Sequence, residues 1–130
     1  MKIPAAGNLR LREEGGAVTV PLEHNLNDKG CLFAGSIYAG AILAGYRAAE
    51  RAFARRGLSG ELVAKTASVS YLGRIVTDGV AEVVACGEPA QKANGNQVLA
   101  LTVAVFDSAR NRCAECSAEF VLLKARADSV

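Results

Sequence analysis

Between Ser36 and Arg56 the chain reads SIYAGAILAGYRAAERAFARR, 21 residues of helix-forming composition whose first half carries no charge on any face. A helix that is apolar all round is one that other elements must surround. Ser36 is the candidate N-cap, Arg55 and Arg56 fall in the last turn, and Gly57 is placed to stop the helix. Charge is confined to Arg47, Glu50, Arg51, Arg55 and Arg56, so only the C-terminal turns face water. Gly40, Ala41, Ala44 and Gly45 are small enough to let other backbone segments approach closely, as a sheet wrapped around the helix requires. At ~1.5 Å per residue the rod is about 30 Å long, enough to span a small domain.

Almost everything else reads as strand. Ala17–Leu22 (AVTVPL), announced by Gly15-Gly16, is a first strand, and the Asn-, Asp- and Gly-rich HNLNDKGCLFAG after it is a loop of the length that carries function. After Gly57 come four further runs: Glu61–Leu72, Gly79–Gly87, Gln97–Asp107 and Arg112–Lys124. Their short links predict an antiparallel meander. In Gln97–Asp107 both alternating sets are apolar, Val98, Ala100, Ala104 and Phe106 on one side and Leu99, Leu101, Val103 and Val105 on the other. Two apolar faces need two covers; the helix supplies one and a second copy of the chain the other, which predicts a homodimer or dimer of dimers. The class is α+β, and the order of elements matches the hotdog architecture, a curved antiparallel sheet around one central helix.

The chain has 130 residues, 51% apolar and 22% charged, which fits one globular domain over residues 1–130 and excludes a disordered composition. Fifteen basic against thirteen acidic residues give +2, and the basic ones are scattered, which argues against nucleic acid as the ligand. The longest nearly uncharged stretch, Gly30–Tyr46, has 17 residues with four glycines, at the short limit for a membrane span. Met-Lys-Ile-Pro has no apolar signal core behind it, so the expected compartment is the cytoplasm, where Cys31, Cys86, Cys113 and Cys116 stay reduced.

The segment PLEHNLNDKGCLFAGSIYAGAILAG narrows the reading. It resembles the loop and helix start of hotdog-fold acyl-CoA thioesterases, whose pattern of Asn, Gly three residues on, then an aromatic and two small residues is met by Asn27, Gly30, Phe33, Ala34 and Gly35. The likeness is closest to the YiiD C-terminal-type thioesterase domain, which occurs alone and behind N-acetyltransferase domains. Pro21-Leu22, Asn25, Asn27, Gly30 and Phe33-Ala34-Gly35-Ser36 carry it, and Ser70-Tyr71-Leu72 resembles that group's second-strand end. The resemblance implies hydrolysis of an acyl-CoA or acyl-carrier-protein thioester, with coenzyme A present only as part of the substrate and no other cofactor.

The residue chemistry fits that implication. The first N–H groups of a helix have no intrahelical acceptor and carry the positive dipole end, so Ala34, Gly35 and Ser36 can polarise a thioester carbonyl. Gly35 admits a close approach, Asn27 offers an acceptor and donors to a water or acyl group, and Asn25, Gly30 and Phe33 complete the loop. On residue type alone, Asn25, Asn27 and Gly30 are equally turn residues and Ser36 a cap. The acyl chain is expected beside Ile37, Ala41 and Ile42, and Lys65, Arg74 and Lys92 are candidates for the phosphates of coenzyme A. One departure matters: many hotdog thioesterases carry Asp or Glu where this helix has Ile42. Glu50 lies about 12 Å further along and cannot substitute directly, while Asp28 in the loop and Asp78 after the second strand run are candidates to act across a dimer interface. The missing carboxylate keeps a second reading open, a hotdog protein that binds acyl-CoA without turnover.

Other chemistries fall away. Cys113-Ala-Glu-Cys116 is a CxxC within a strand, where residues three apart point to opposite faces, and with His24 as the one histidine it makes no zinc site; no metal is expected. His24 is either a general base at the mouth of the site or an ordinary loop residue. The Asp and His pair of hotdog hydratases, GxSxG and GxxxxGK[ST] are all missing from the sequence.

Overall fold

The computed structural model describes residues 2–127. A short helix α1 (Pro4–Asn8) and strand β1 (Arg12–Glu14) precede the first expected strand, β2 (Ala17–Val20). The long helix α2 (Ala34–Arg55) follows, then β3 (Leu58–Tyr71), β4 (Gly79–Cys86), β5 (Ala90–Gln91), β6 (Gln97–Phe106) and β7 (Arg112–Ala127). The strands form one antiparallel sheet in the order β1-β2-β4-β6-β7-β3, with β5 paired to β6.

The meander expected for the last four long strands holds for β4, β6 and β7 and fails for β3. Both edges of β4 are taken, by β2 (Val18↔Ala81) and by β6 (Ala81↔Val105), so β3 lies instead against β7, from Leu58↔Ala127 to Tyr71↔Ala114. Its other edge is unpaired among the described residues.

The sheet curls around α2 because one alternating set of each central strand points at it. Leu99, Leu101, Val103 and Val105 of β6 and Ala114, Cys116, Ala118, Phe120 and Leu122 of β7 are buried with Ile37, Ala41, Ala44 and Phe53 of the helix. Each large side chain fully buried there contributes roughly 1.5–3 kcal/mol. Small helix residues set the spacing: a Cβ at Gly40 would overlap Val20 Cγ2, and one at Gly45 would lie 3.0 Å from Leu101 Cδ1 and 3.1 Å from Phe120 Cε2. On the outer face of β6 Ala104 is buried, Val98 and Phe106 are half-buried, and Ala100 is exposed.

Helix α2 starts two residues before the expected cap. Phe33 stands at the N-cap position in extended conformation (φ −65°, ψ 135°) without a side-chain cap bond, and Ser36 is buried in the first turn with its N–H on the Phe33 carbonyl at 3.0 Å. The entry is fixed by backbone bonds from elsewhere, Phe33 N–H to Asn25 O (2.8 Å) and Leu32 N–H to Ile75 O (2.9 Å). Near the middle of the helix Arg47 donates to Glu13 (2.8 Å) and Glu50 (2.9 Å), tying β1 to α2. Among the described residues no helix is long and apolar enough to cross a membrane.

Candidate active site

The loop between β2 and α2 is organised by two asparagines doing different jobs. Asn27 Oδ1 accepts the N–H groups of Lys29 (2.8 Å) and Cys31 (3.0 Å), and its own N–H donates to Cys31 O (2.8 Å). This side-chain turn leaves Gly30 at φ +77°, a conformation a Cβ disfavours. The acceptor of Asn27 is therefore occupied, while its Nδ2 has no partner among the described residues and remains a donor. Asn25 is buried, with Nδ2 donating to Leu9 O and Pro21 O, both at 2.9 Å. Two carbonyl neighbours fix which side-chain atom is nitrogen. Its Oδ1 has no hydrogen-bond partner among the described residues. Asn25 thus fastens the loop to the N-terminal segment, and its amide faces backbone.

At the start of α2 the N–H groups of Ala34 and Gly35 have no backbone acceptor among the described residues, whereas that of Ser36 is committed to Phe33 O. The exposed Phe33 ring folds over Gly35, where a Cβ would stand 2.6 Å from Phe33 Cε2. Opposite, the Tyr71 hydroxyl donates to Ala34 O at 2.9 Å, and partial desolvation pushes its pKa up. Sequence reasoning noted Tyr71 only as part of a likeness; its contact depends on β3 ending beside the helix start, which no local signal announces. Six large hydrophobic residues are exposed among the described residues, and five of them, Leu26, Phe33, Tyr71, Leu72 and Val76, belong to the segments that meet here.

From Gly35 a stripe of one helix face runs through Ala39, Ile42 and Tyr46, at spacings of four, three and four residues. It leads into an apolar cavity of about 190 Å³ bounded by α1, the chain after it, α2, β3 and β7. Ile42 lines this cavity. Ile37 and Ala41 do not: both are turned to the sheet and buried in the core, because three to four residues per turn carry them to the opposite side of the helix.

The remaining candidates scatter. Arg74 lies in the link beside Ile75, whose carbonyl holds Leu32, so it is close to the loop. Lys65 is six residues from Tyr71 along β3, about 20 Å, and flanks a groove with Lys92 away from the helix start. Asp28 is exposed and paired with Lys29 at 3.2 Å, and Asp78 accepts Leu22 N–H at 2.9 Å and lies 3.9 Å from Arg12. His24 Nε2 accepts from Arg10 Nη1 at 2.8 Å, so its ring is tied to the N-terminal segment. All four cysteines are free; burial pushes the thiols of Cys113 and Cys116 up, the first beside Asp107 at the β6–β7 turn and the second in the core.

Over residues 9–124 the chain matches the model of the family described as "Putative thioesterase (yiiD_Cterm)". A Shewanella oneidensis structure described as "putative thioesterase" is 23% identical with a TM-score of 0.76, covering 93% of this chain and 88% of that one. A protein of unknown function from Chlorobaculum tepidum gives 18% and 0.77, covering 94% and 87%. A Bacillus halodurans protein solved with CoA gives 15% and 0.69, covering 94% and 78%. These likenesses place the chain in the hotdog fold. No curated protein matches it.

Proposed function

The chain belongs to this thioesterase family, and from that premise we propose that it hydrolyses an acyl-CoA or acyl-carrier-protein thioester at the start of α2. The observation that carries the reading is the pair of unpartnered N–H groups at Ala34 and Gly35, set in an exposed apolar rim at the positive end of a 22-residue helix. Water attacks the thioester carbonyl carbon, the carbonyl oxygen takes up the negative charge beside these N–H groups, and the C–S bond breaks to release the thiol and a carboxylic acid. Asn27 Nδ2 donates to the attacking water or to the acyl carbonyl. The acyl chain runs along Ile42, and Phe33 swings off Gly35 to admit the thioester.

Two copies complete the arrangement. The 14-residue β3 has an open edge, and pairing it with the same strand of a second copy brings the exposed Tyr71 and Leu72 into an interface. A coenzyme A phosphate then meets Arg74 near the loop, and Lys65 meets only the distant nucleotide end. The CoA-bound Bacillus halodurans structure supports coenzyme A as the carrier.

A second reading has a specific observation behind it. Where a helix carboxylate would act as base, Ile42 lines an apolar cavity, so the site suits binding of acyl-CoA with slow turnover or none. Thiol release over short, medium, long and aromatic acyl-CoAs, with Asn27→Asp alongside, separates the two. The variant keeps the oxygen that holds the turn and removes the donor, so hydrolysis is expected to fall about tenfold or more with unchanged thermal stability. Saturable binding with no thiol release from the parent would establish the binding protein instead.

A further inference from the structure

The cavity beside Ile42 is walled on its outer side by residues that the family motif does not include. Ile3, Ala6 and Leu9 of the first turns and Leu11 after them are half-buried and face it, although α1 itself has no fully buried residue. On the inner side stand Ala39, Ile42 and Tyr46, and the floor is Phe120, whose ring meets Tyr46 edge-on at 6.2 Å. A water molecule needs two to four polar partners, and this lining offers almost none, so the space suits carbon. The N-terminal wall is not packed down by its own burial. It is held at its rim by polar ties, Leu9 O to Asn25 Nδ2 at 2.9 Å and Arg10 to His24 at 2.8 Å.

Two observations identify the occupant. Ala39, Ile42 and Tyr46, which line the cavity, share one helix face with Gly35, and Tyr46 at its far wall lies about 16 Å along the helix from Gly35. Its size is restrictive: an apolar cavity of roughly 150 Å³ takes a benzene-sized guest, so about 190 Å³ takes about six to eight carbons. We infer that the segment Ile3–Leu11 closes the acyl-chain pocket and limits the substrate to medium-chain or phenyl-bearing acyl groups, an inference that rests on the thioester reading of the helix start. Residues Ala6 and Leu9 then determine chain length without touching the reacting atoms.

The test pairs turnover with binding. Straight-chain acyl-CoAs from butanoyl to dodecanoyl are assayed for thiol release, and the corresponding free carboxylates for stabilisation in thermal melts, with the parent, Ala6→Leu and Leu9→Ala. The parent is expected to peak at six to eight carbons in both readouts. Ala6→Leu fills the pocket and should lower the octanoyl-to-butanoyl ratio at least tenfold; Leu9→Ala enlarges it and should raise the dodecanoyl-to-octanoyl ratio severalfold. Cleavage with one length profile shared by all three proteins overturns the pocket and leaves the hydrolase standing. Carboxylate binding whose optimum moves with the variants, without any cleavage, upholds the pocket and overturns the hydrolase. Neither cleavage nor length-dependent binding overturns both.

Discussion

At its C-terminal end α2 is closed: Arg56 N–H bonds to Phe53 O at 3.0 Å, Gly57 N–H to Ala54 O at 2.9 Å, and Gly57 takes φ +67° to turn the chain into β3. Arg55 sits in that last turn with the favourable sign for the dipole, and Arg56 pairs with Glu88. At its N-terminal end the same helix has no side-chain cap, no acid in its first turn, two N–H groups without acceptors among the described residues, and apolar side chains where solvated ones would stabilise it. Capping one end and leaving the other open forgoes about 1 kcal/mol of the stability a cap contributes. The end that stability alone would have finished is finished, and the unfinished end faces the rim, where the chemistry is to be sought.

Changes at the two ends should therefore separate activity from stability. The largest effect is expected at the open end. Ala34→Pro removes one N–H at the first helical position, where proline is tolerated, and Phe33 already has the extended conformation that a residue before proline adopts. Thioester hydrolysis should fall by about 10²–10³ with little change in melting temperature; an unaltered rate would remove that N–H from the site. At the closed end Gly57→Val forces a β-branched residue into positive φ, costing about 1–2 kcal/mol, or a melting temperature lower by about 4–8 °C, with the rate per folded molecule unchanged. A fall in that rate would mean the ends are not independent.

The smallest effect belongs to the β6–β7 turn, which carries neither end of the helix. Asp107 accepts Asn111 Nδ2 (3.0 Å), Asn111 N–H (2.8 Å) and Ala109 N–H (3.0 Å), and these bonds, led by the Asn111 side chain, hold its carboxyl below the usual range. A depressed folded pKa stabilises above the unfolded pKa, and the contribution is lost as pH falls through the folded value. Melting curves of the parent and Asp107→Asn should differ at neutral pH and converge in acid; divergence that persists at low pH would refute the assignment.

What was legible in the sequence follows from the range of the forces involved. The long helix, its buried first half and the strand runs are written in local period and composition, and their placement agrees with the structure to within a few residues. The N-terminal α1 and β1 were not legible, because five residues containing Gly7 and three consecutive charged ones give no period; they are ordered by Asn25 and by Arg47. Ser36 looked like a cap because residue type favours it, but the Phe33–Asn25 and Leu32–Ile75 backbone bonds start the helix earlier. At the site, Asn27, Gly30, Phe33, Ala34 and Gly35 come together because they share one loop. Lys65 does not join them, and Tyr71 does, because the position of β3 depends on a partner far along the chain.

That partner has a consequence for how the molecule is made. In the order of synthesis β3 emerges immediately after the helix, yet its only mate among the described residues is β7, and the 40 residues 72–111 separate them. At about 5–20 residues per second, a 14-residue strand waits several seconds on the ribosome without a ladder on either side. Any nascent chain interrupted before β7 carries both of those edges bare. The last strand to appear is thus the one that converts β3 from a sticky intermediate into part of a sheet, which makes β7 the commitment step for assembly.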